Sequence, residues 1–195
     1  MLTSTRMSCP KGSRAPTSAT TTKKKRTSTT RSEPRIIALA LGGNQGPAAD
    51  IERTLRRALG DLETALGPLR AAPFYRTAAV SLFPQPDFLN TAALVRTALP
   101  PDAVLAVAKA LERAAGRRHG VRFGPRPLDI DLLLYGDLQA ANPELTLPHP
   151  RLRERRFMLE PLAALAPDLR VPPDGATVRE LLERVRGQAV ERLGS

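Results

Sequence analysis

Two aspartates, Asp129 and Asp131, stand one residue apart in Leu128-Asp129-Ile130-Asp131-Leu132-Leu133-Leu134-Tyr135, a run that otherwise reads as a buried strand. Side chains alternate across a strand, so both carboxylates face one way while Leu128, Ile130 and Leu132 face the other. Neighbouring ionised carboxylates repel, and desolvating each costs several kcal/mol unless something compensates. A hard divalent cation is the usual compensation: Mg2+ is commonly held by one or two carboxylates, with substrate phosphates and water completing its octahedron. A solvated strand face is the competing explanation for Asp-x-Asp taken alone. Directly upstream lies a basic, glycine-broken segment, Gly116-Arg117-Arg118-His119-Gly120-Val121-Arg122-Phe123-Gly124-Pro125-Arg126. Cations able to hold an anion beside a metal-binding pair point to phosphoryl or nucleotidyl chemistry.

Other polar segments fit two readings each. In Pro86-Asp87-Phe88-Leu89-Asn90, Phe88 and Asn90 share a strand face. A side-chain amide offers donor and acceptor, which suits the edge of a planar heterocycle; a core ring and a turn amide fit equally. Phe157, in Arg155-Arg156-Phe157-Met158-Leu159, is either a second stacking ring or core. His149 sits between Pro148 and Pro150 and, alone, reads as a loop residue. Gly42-Gly43-Asn44-Gln45-Gly46 joins a strand to a helix. It is a structural turn or a place where phosphate approaches backbone N–H groups, but without a following Lys-Ser/Thr it is no Walker A loop.

The elements that must position these residues are legible from periodicity. Ile36–Leu41 is an apolar run ending at Gly42-Gly43 and predicts a first strand. Ile51, Leu55, Leu59, Leu62 and Leu66 recur at helical steps until Gly67-Pro68. Leu69–Arg76 and Phe88–Ala98 predict two more strands, separated by a polar loop over 78–87. Pro100-Pro101-Asp102 opens a second helix carrying Val104, Leu105, Ala108 and Leu111, which Gly116 closes. The aspartate strand, Leu128–Tyr135, is fourth. The order β-α-β-β-α-β predicts a ferredoxin-like α+β sandwich. Leu145-Thr146-Leu147 adds an expected edge strand, and C-terminal helices are expected around Arg155–Ala166 and from Thr177 to about Leu193.

The 195 residues divide into a tail, 1–34, and a domain, 35–195. The tail is rich in Ser, Thr, Lys and Arg and too poor in apolar side chains to order itself; a transit peptide or a nucleic-acid-binding arm are the alternatives to a plain extension. Residues 1–35 carry a net +8, which leaves +3 of the total +11 for the rest, so a nucleic-acid reading of the whole domain loses most of its support. The single cysteine, Cys9, excludes an internal disulfide and a cysteine zinc site. No run approaches a membrane span, and a monomer in a reducing, cytoplasmic compartment is expected.

Taken together, the chain resembles the 6-hydroxymethyl-7,8-dihydropterin pyrophosphokinase family of folate biosynthesis. The resemblance rests on Leu41-Gly42-Gly43-Asn44-Gln45-Gly46, Phe74-Tyr75-Arg76-Thr77, Gln85–Asn90, Gly124-Pro125-Arg126-Pro127-Leu128-Asp129-Ile130-Asp131, Leu147-Pro148-His149-Pro150 and Phe157-Met158-Leu159. It implies transfer of pyrophosphate from the co-substrate ATP to the dihydropterin, with release of AMP. Asp129 and Asp131 would hold two Mg2+ ions, with Arg117 and Arg126 as catalytic cations. Phe88 and Phe157 would sandwich the pterin, while Asn90 and Thr77 read its edge. Glu112, Arg122, Phe123, Arg126, Leu132, Thr146, His149 and Arg155 would bind ATP, and segments 78–87 and 116–125 would be mobile loops. Gly43, His119, Phe123, Arg156 and Ala78-Ala79-Val80-Ser81 depart from the family's usual residues. A noncatalytic RNA-binding module and another Mg2+-dependent Asp-x-Asp transferase are the rival readings.

Overall fold

The structure, a computed structural model, describes residues 33–79, 84–117 and 124–194. Strand β1 (Arg35–Gly43) is apolar without alternation because it is covered on both sides, and it is buried from Ile37 to Gly43. It pairs antiparallel with β4 (Phe88–Thr97) on one side and β5 (Asp129–Tyr135) on the other. The short strands β2 (Leu69–Ala71) and β3 (Tyr75–Thr77) both pair antiparallel with β4. The sheet order is β10-β3-β4-β1-β5, with β2 also on β4 and β10 being Glu191–Arg192.

Helices cover both faces. On one, α1 (Ala48–Leu66) and α2 (Pro101–Ala114) bury Ile51, Leu55, Leu62, Val104 and Ala108 against Ile37, Leu39, Leu41, Leu89, Ile130 and Leu132. On the other, α3 (Arg156–Leu165) and α4 (Val178–Arg184) bury Met158, Leu159, Leu162 and Leu181 against Ala38, Ala40, Ala92 and Leu94. A capping box between Thr177 and Glu180 starts α4. Small pairs β6 (Ala140–Ala141) with β7 (Thr146–Leu147), and β8 (Arg170–Val171) with β9 (Ala176–Thr177), lie outside the main sheet.

Four expectations about the elements are corrected. The strand expected over 69–76 is two pieces, because the pairing with β4 slips by one residue across Ala72-Pro73-Phe74, where Pro73 has no N–H to give. Gly42 and Gly43 belong to β1 rather than to a turn after it. Thr146–Leu147 pairs with Ala140–Ala141 instead of edging the main sheet. The last helix stops at Arg184 rather than about Leu193, and the chain returns as β10 to cover β3. Arg156 holds that return: its guanidinium donates to the Arg186 and Gln188 carbonyls, and its N–H to Gln188 Oε1.

Candidate active site

Tyr75, Asn90, Gly42 and Asp129 are successive cross-strand partners in one row over β3, β4, β1 and β5. Antiparallel partners share a face, and Ala40, opposite Asp131, packs into the α3–α4 core. Asn90, Asp129 and Asp131 therefore open onto the α3 side. A one-residue bulge in β5 at Leu133 lies beyond the aspartates, so their alternation is undisturbed. The two glycines supply close approach. A Cβ on Gly42 would lie 2.7 Å from Asn90 Oδ1, and one on Gly43 would lie 2.6 Å from the Pro127 carbonyl oxygen.

The β4 side of the row is neutral. Asn90, 5% exposed, donates through Nδ2 to Thr77 Oγ1 at 2.9 Å. Thr77 pairs across strands with Phe88, whose ring is half-buried. Phe157 is half-buried on the first turn of α3 against the core of that face, and the Arg155 guanidinium lies 5.4 Å from its ring centroid.

The β5 side is charged. Arg117 Nη1 donates to Asp129 Oδ1 and Arg126 Nη1 to Asp129 Oδ2, each at 2.5 Å. Arg117 also bonds Glu112, which is 2% exposed at the end of α2 and accepts from the Ile130 N–H at 2.8 Å and from Lys109 Nζ at 3.0 Å. Burial pushes the Asp129 pKa up, but Arg126 and Arg117 outweigh it and hold the carboxyl below its ordinary value. For Asp131, burial and then the Asp129 charge raise it to about 6, with Glu112 adding and Lys109 and Arg155 opposing. His149 is lowered to about 4 by burial and by Arg155 and Arg151, and its Nδ1 accepts the Arg151 N–H at 3.2 Å.

Asp131, Leu132, Thr146 and His149 line one cleft of about 230 Å3, together with Lys109. Three residues that the resemblance implies for ATP thus meet one of the aspartates. Glu112 does not line this cleft; its carboxylate is occupied by Lys109, Arg117 and the β5 backbone. Arg122 and Phe123, His119 and the segment 80–83 lie outside the described residues. A larger cleft of about 450 Å3, between α3, α4 and β10, contains none of these residues. Among the described residues no three His, Cys, Asp or Glu converge as a ready-made metal cage. The all-carboxylate donors Asp129 and Asp131 suit Mg2+, whose remaining ligands come from substrate oxygens and water, and the repulsion that raises Asp131 is what a dication relieves.

Two site-building residues were missed in the sequence. Asn44 was read only as part of a glycine-rich turn; it is fully buried and hydrogen-bonded to Arg126, Gln85 and Pro86. Lys109 lies three residues before Glu112 on α2, a helical ion-pair spacing that was a usable signal.

Residues 38–167 match the family model for 7,8-dihydro-6-hydroxymethylpterin-pyrophosphokinase (HPPK). The chain is 40% identical over 154 residues to 2-amino-4-hydroxy-6-hydroxymethyldihydropteridine pyrophosphokinase of Synechocystis sp., covering 78% of this chain and 77% of that protein. The Pseudomonas aeruginosa protein of the same name is 38% identical over 158 residues, 80% of this chain and 96% of its own length. Similarity at 40% over 129 residues extends to the mitochondrial folate synthesis bifunctional protein of Arabidopsis thaliana, spanning 66% of this chain but 23% of that one. In fold, the chain matches the crystal structure of a Plasmodium falciparum HPPK-DHPS triple mutant with a TM-score of 0.63 at 16% identity, over 80% of this chain and 45% of that chain. No described helix is long and apolar enough to cross a membrane. The chain belongs to the 7,8-dihydro-6-hydroxymethylpterin-pyrophosphokinase family.

Proposed function

We infer that this protein is the ATP-dependent pyrophosphokinase of folate biosynthesis that acts on 6-hydroxymethyl-7,8-dihydropterin. The observation that carries the assignment of the site is the row Asn90–Gly42–Asp129, which sets a heterocycle-reading amide and a phosphate-handling carboxylate pair on one face with only β1 between them. The finer architecture is ferredoxin-like, with β2 and β3 together acting as the second of its four strands.

In this reading Phe88 and Phe157 stack on the flat pterin, and Asn90, its amide oriented by Thr77, reads the hydrogen-bonding edge. Asp129 and Asp131 would hold Mg2+, which would supply charge neutralisation for the triphosphate. Arg117 and Arg126 are guanidinium forks already at the place where phosphate charge arrives, so they exchange a carboxylate for phosphate oxygens without travelling far. His149 is neutral at pH 7, and because Nδ1 accepts a backbone N–H, its Nε2 carries the proton and donates toward the nucleotide. The pterin hydroxymethyl oxygen attacks the β-phosphorus of ATP and loses its proton to solvent, the bond from that phosphorus to the α,β-bridging oxygen breaks with its electron pair passing to that oxygen, and AMP departs. Positioning and charge neutralisation supply most of the rate.

The test is AMP release from ATP and Mg2+ with and without the dihydropterin. Pterin-dependent AMP is the expected result. Inorganic pyrophosphate released in place of free AMP, or AMP formation indifferent to pterin, would overturn the reading.

A further inference from the structure

Asn44 is fully buried just beyond the end of β1, and each polar atom of its side chain is used. Its Oδ1 accepts the Arg126 N–H at 2.8 Å, while its own N–H donates to the Arg126 carbonyl at 2.9 Å. Its Nδ2 donates at 3.2 Å to Gln85 Oε1 and at 3.2 Å to the Pro86 carbonyl. One amide thereby ties two segments 40 positions apart in sequence, each of which leads straight into half of the site. Arg126 is three residues before Asp129 and itself holds that carboxylate. Pro86 is two residues before Phe88 and four before Asn90.

We propose that Asn44 is a positioning residue that couples the pterin-binding strand entry to the phosphate-binding strand entry, so that occupation of one half of the site sets the geometry of the other. The proposal rests on the pyrophosphokinase reading. Its physical basis is that neither segment is in regular structure at the contact: Pro86 precedes β4 and Arg126 precedes β5. Proline at 86, 125 and 127 removes N–H donors that could have tied these stretches elsewhere. Asn44 stands between them with donor and acceptor at opposite ends of one planar group, so a shift of either strand entry is felt by the other. Binding energy released on one side is then spent on ordering the second, which is a coupling free energy between two sites.

The experiment is calorimetric titration of the full chain with 6-hydroxymethyl-7,8-dihydropterin, alone and in the presence of Mg2+ and α,β-methylene-ATP. Wild type, Asn44→Ala and Asn44→Asp are compared. In wild type the nucleotide analogue tightens pterin binding severalfold. Asn44→Ala abolishes that enhancement, leaving a ratio near one. Asn44→Asp retains the acceptor for the Arg126 N–H but loses the donor to Gln85 and Pro86. It therefore keeps nucleotide affinity within about twofold while pterin affinity falls about tenfold. Thermal melting of each variant separates these effects from general destabilisation, and Asn44→Asp carries the test if Asn44→Ala does not fold. An undiminished enhancement in either variant overturns the coupling while leaving the pyrophosphokinase reading intact. A wild type that binds neither pterin nor nucleotide overturns both.

Discussion

Toward β5, Gly42 adjoins Asp129, whose two carboxylate oxygens are taken by Arg117 and Arg126; toward β4 it adjoins Asn90, whose amide is held by the Thr77 hydroxyl. The two halves of the site are built from different physics. The β5 half is a chain of charges, Lys109–Glu112–Arg117–Asp129–Arg126, in which each member has a partner that an incoming anion or cation can replace. The β4 half is neutral, close-packed and already complete. Charge pairs exchange partners readily because a phosphate oxygen and a carboxylate oxygen present the same acceptor to a guanidinium. A neutral amide fixed by one hydroxyl instead offers a preformed edge, which lowers the ordering cost of binding. In the proposed reaction, moving phosphate and recognising a heterocycle would thus use opposite strategies on two strands that flank β1.

The sharpest way to break this contrast is to remove the charges. Asp129→Ala or Asp131→Ala should lower turnover by about 10^3-fold or more, the order expected when several kcal/mol of charge stabilisation are lost. Pterin affinity in the absence of nucleotide should stay within a fewfold. Substantial turnover in both variants, measured as AMP release, would remove the carboxylate pair from the mechanism. Collapse of pterin binding would show that the neutral half depends on the carboxylates themselves.

On the neutral side the expected losses are smaller. Asn90→Ala deletes the amide proposed to read the pterin edge, and Gly42→Ala introduces a Cβ 2.7 Å from Asn90 Oδ1, which must then swing away from Thr77. Each should weaken pterin binding by about 10–100-fold, the value of one or two well-placed buried hydrogen bonds. ATP affinity should be unchanged. Equal losses of both ligands in Gly42→Ala would mean that the substitution displaces β1 rather than the amide.

Much of this arrangement was legible in the residues. Asp129-x-Asp131 inside an apolar run had only one way to alternate, and the helical spacing of Ile51, Leu55, Leu62 and Leu66 had only one face to bury. What escaped was set by contacts between distant segments. Pro73 interrupts a strand whose pattern runs on, because the bulge depends on how β2 and β3 register against β4. Helical periodicity after Thr177 continues past Arg184, yet β3 offers an open edge that β10 fills. The glycine pair looked like a turn because a sequence shows that a side chain is missing, and not that Asn90 and Pro127 occupy its space. Asn44 was invisible for the same reason: its partners are 41 and 82 positions away.

Asp131 allows the contrast to be read as stability. An acid whose pKa is raised to about 6 in the fold favours its protonated form, so its contribution to stability falls as pH climbs from about 4 to about 6 and the full penalty persists above. Asp131→Asn removes that penalty. Thermal melts of the protein without ligands should show the variant more stable than wild type at pH 7.5, by roughly 1–3 kcal/mol, with the difference vanishing near pH 4. Such a variant would be more stable and inactive, as expected where charge is concentrated for function rather than for folding. A destabilised Asp131→Asn at pH 7.5 would show that Lys109 and Arg155 stabilise this carboxylate by more than burial and Asp129 cost it.

The smallest effect concerns a single proton. His149 has its pKa lowered to about 4 by burial and by Arg155 and Arg151, and protonating its Nδ1 would also break the bond from the Arg151 N–H. With the folded value below the unfolded one, the neutral ring contributes stability above about pH 6.5 that fades as pH falls toward 4. The chain has two histidines, so NMR of their ring signals, with His149→Gln to assign them, follows each one. The His149 signal should stay in its neutral position from pH 8 to about 5.5 and move only near 4. Because Asn90, Thr77, Phe88 and Phe157 carry no titrating group, pterin affinity should be flat over the same range. A His149 midpoint between 6 and 7 would mean that the ring is less buried and that Arg155 and Arg151 lie farther from it.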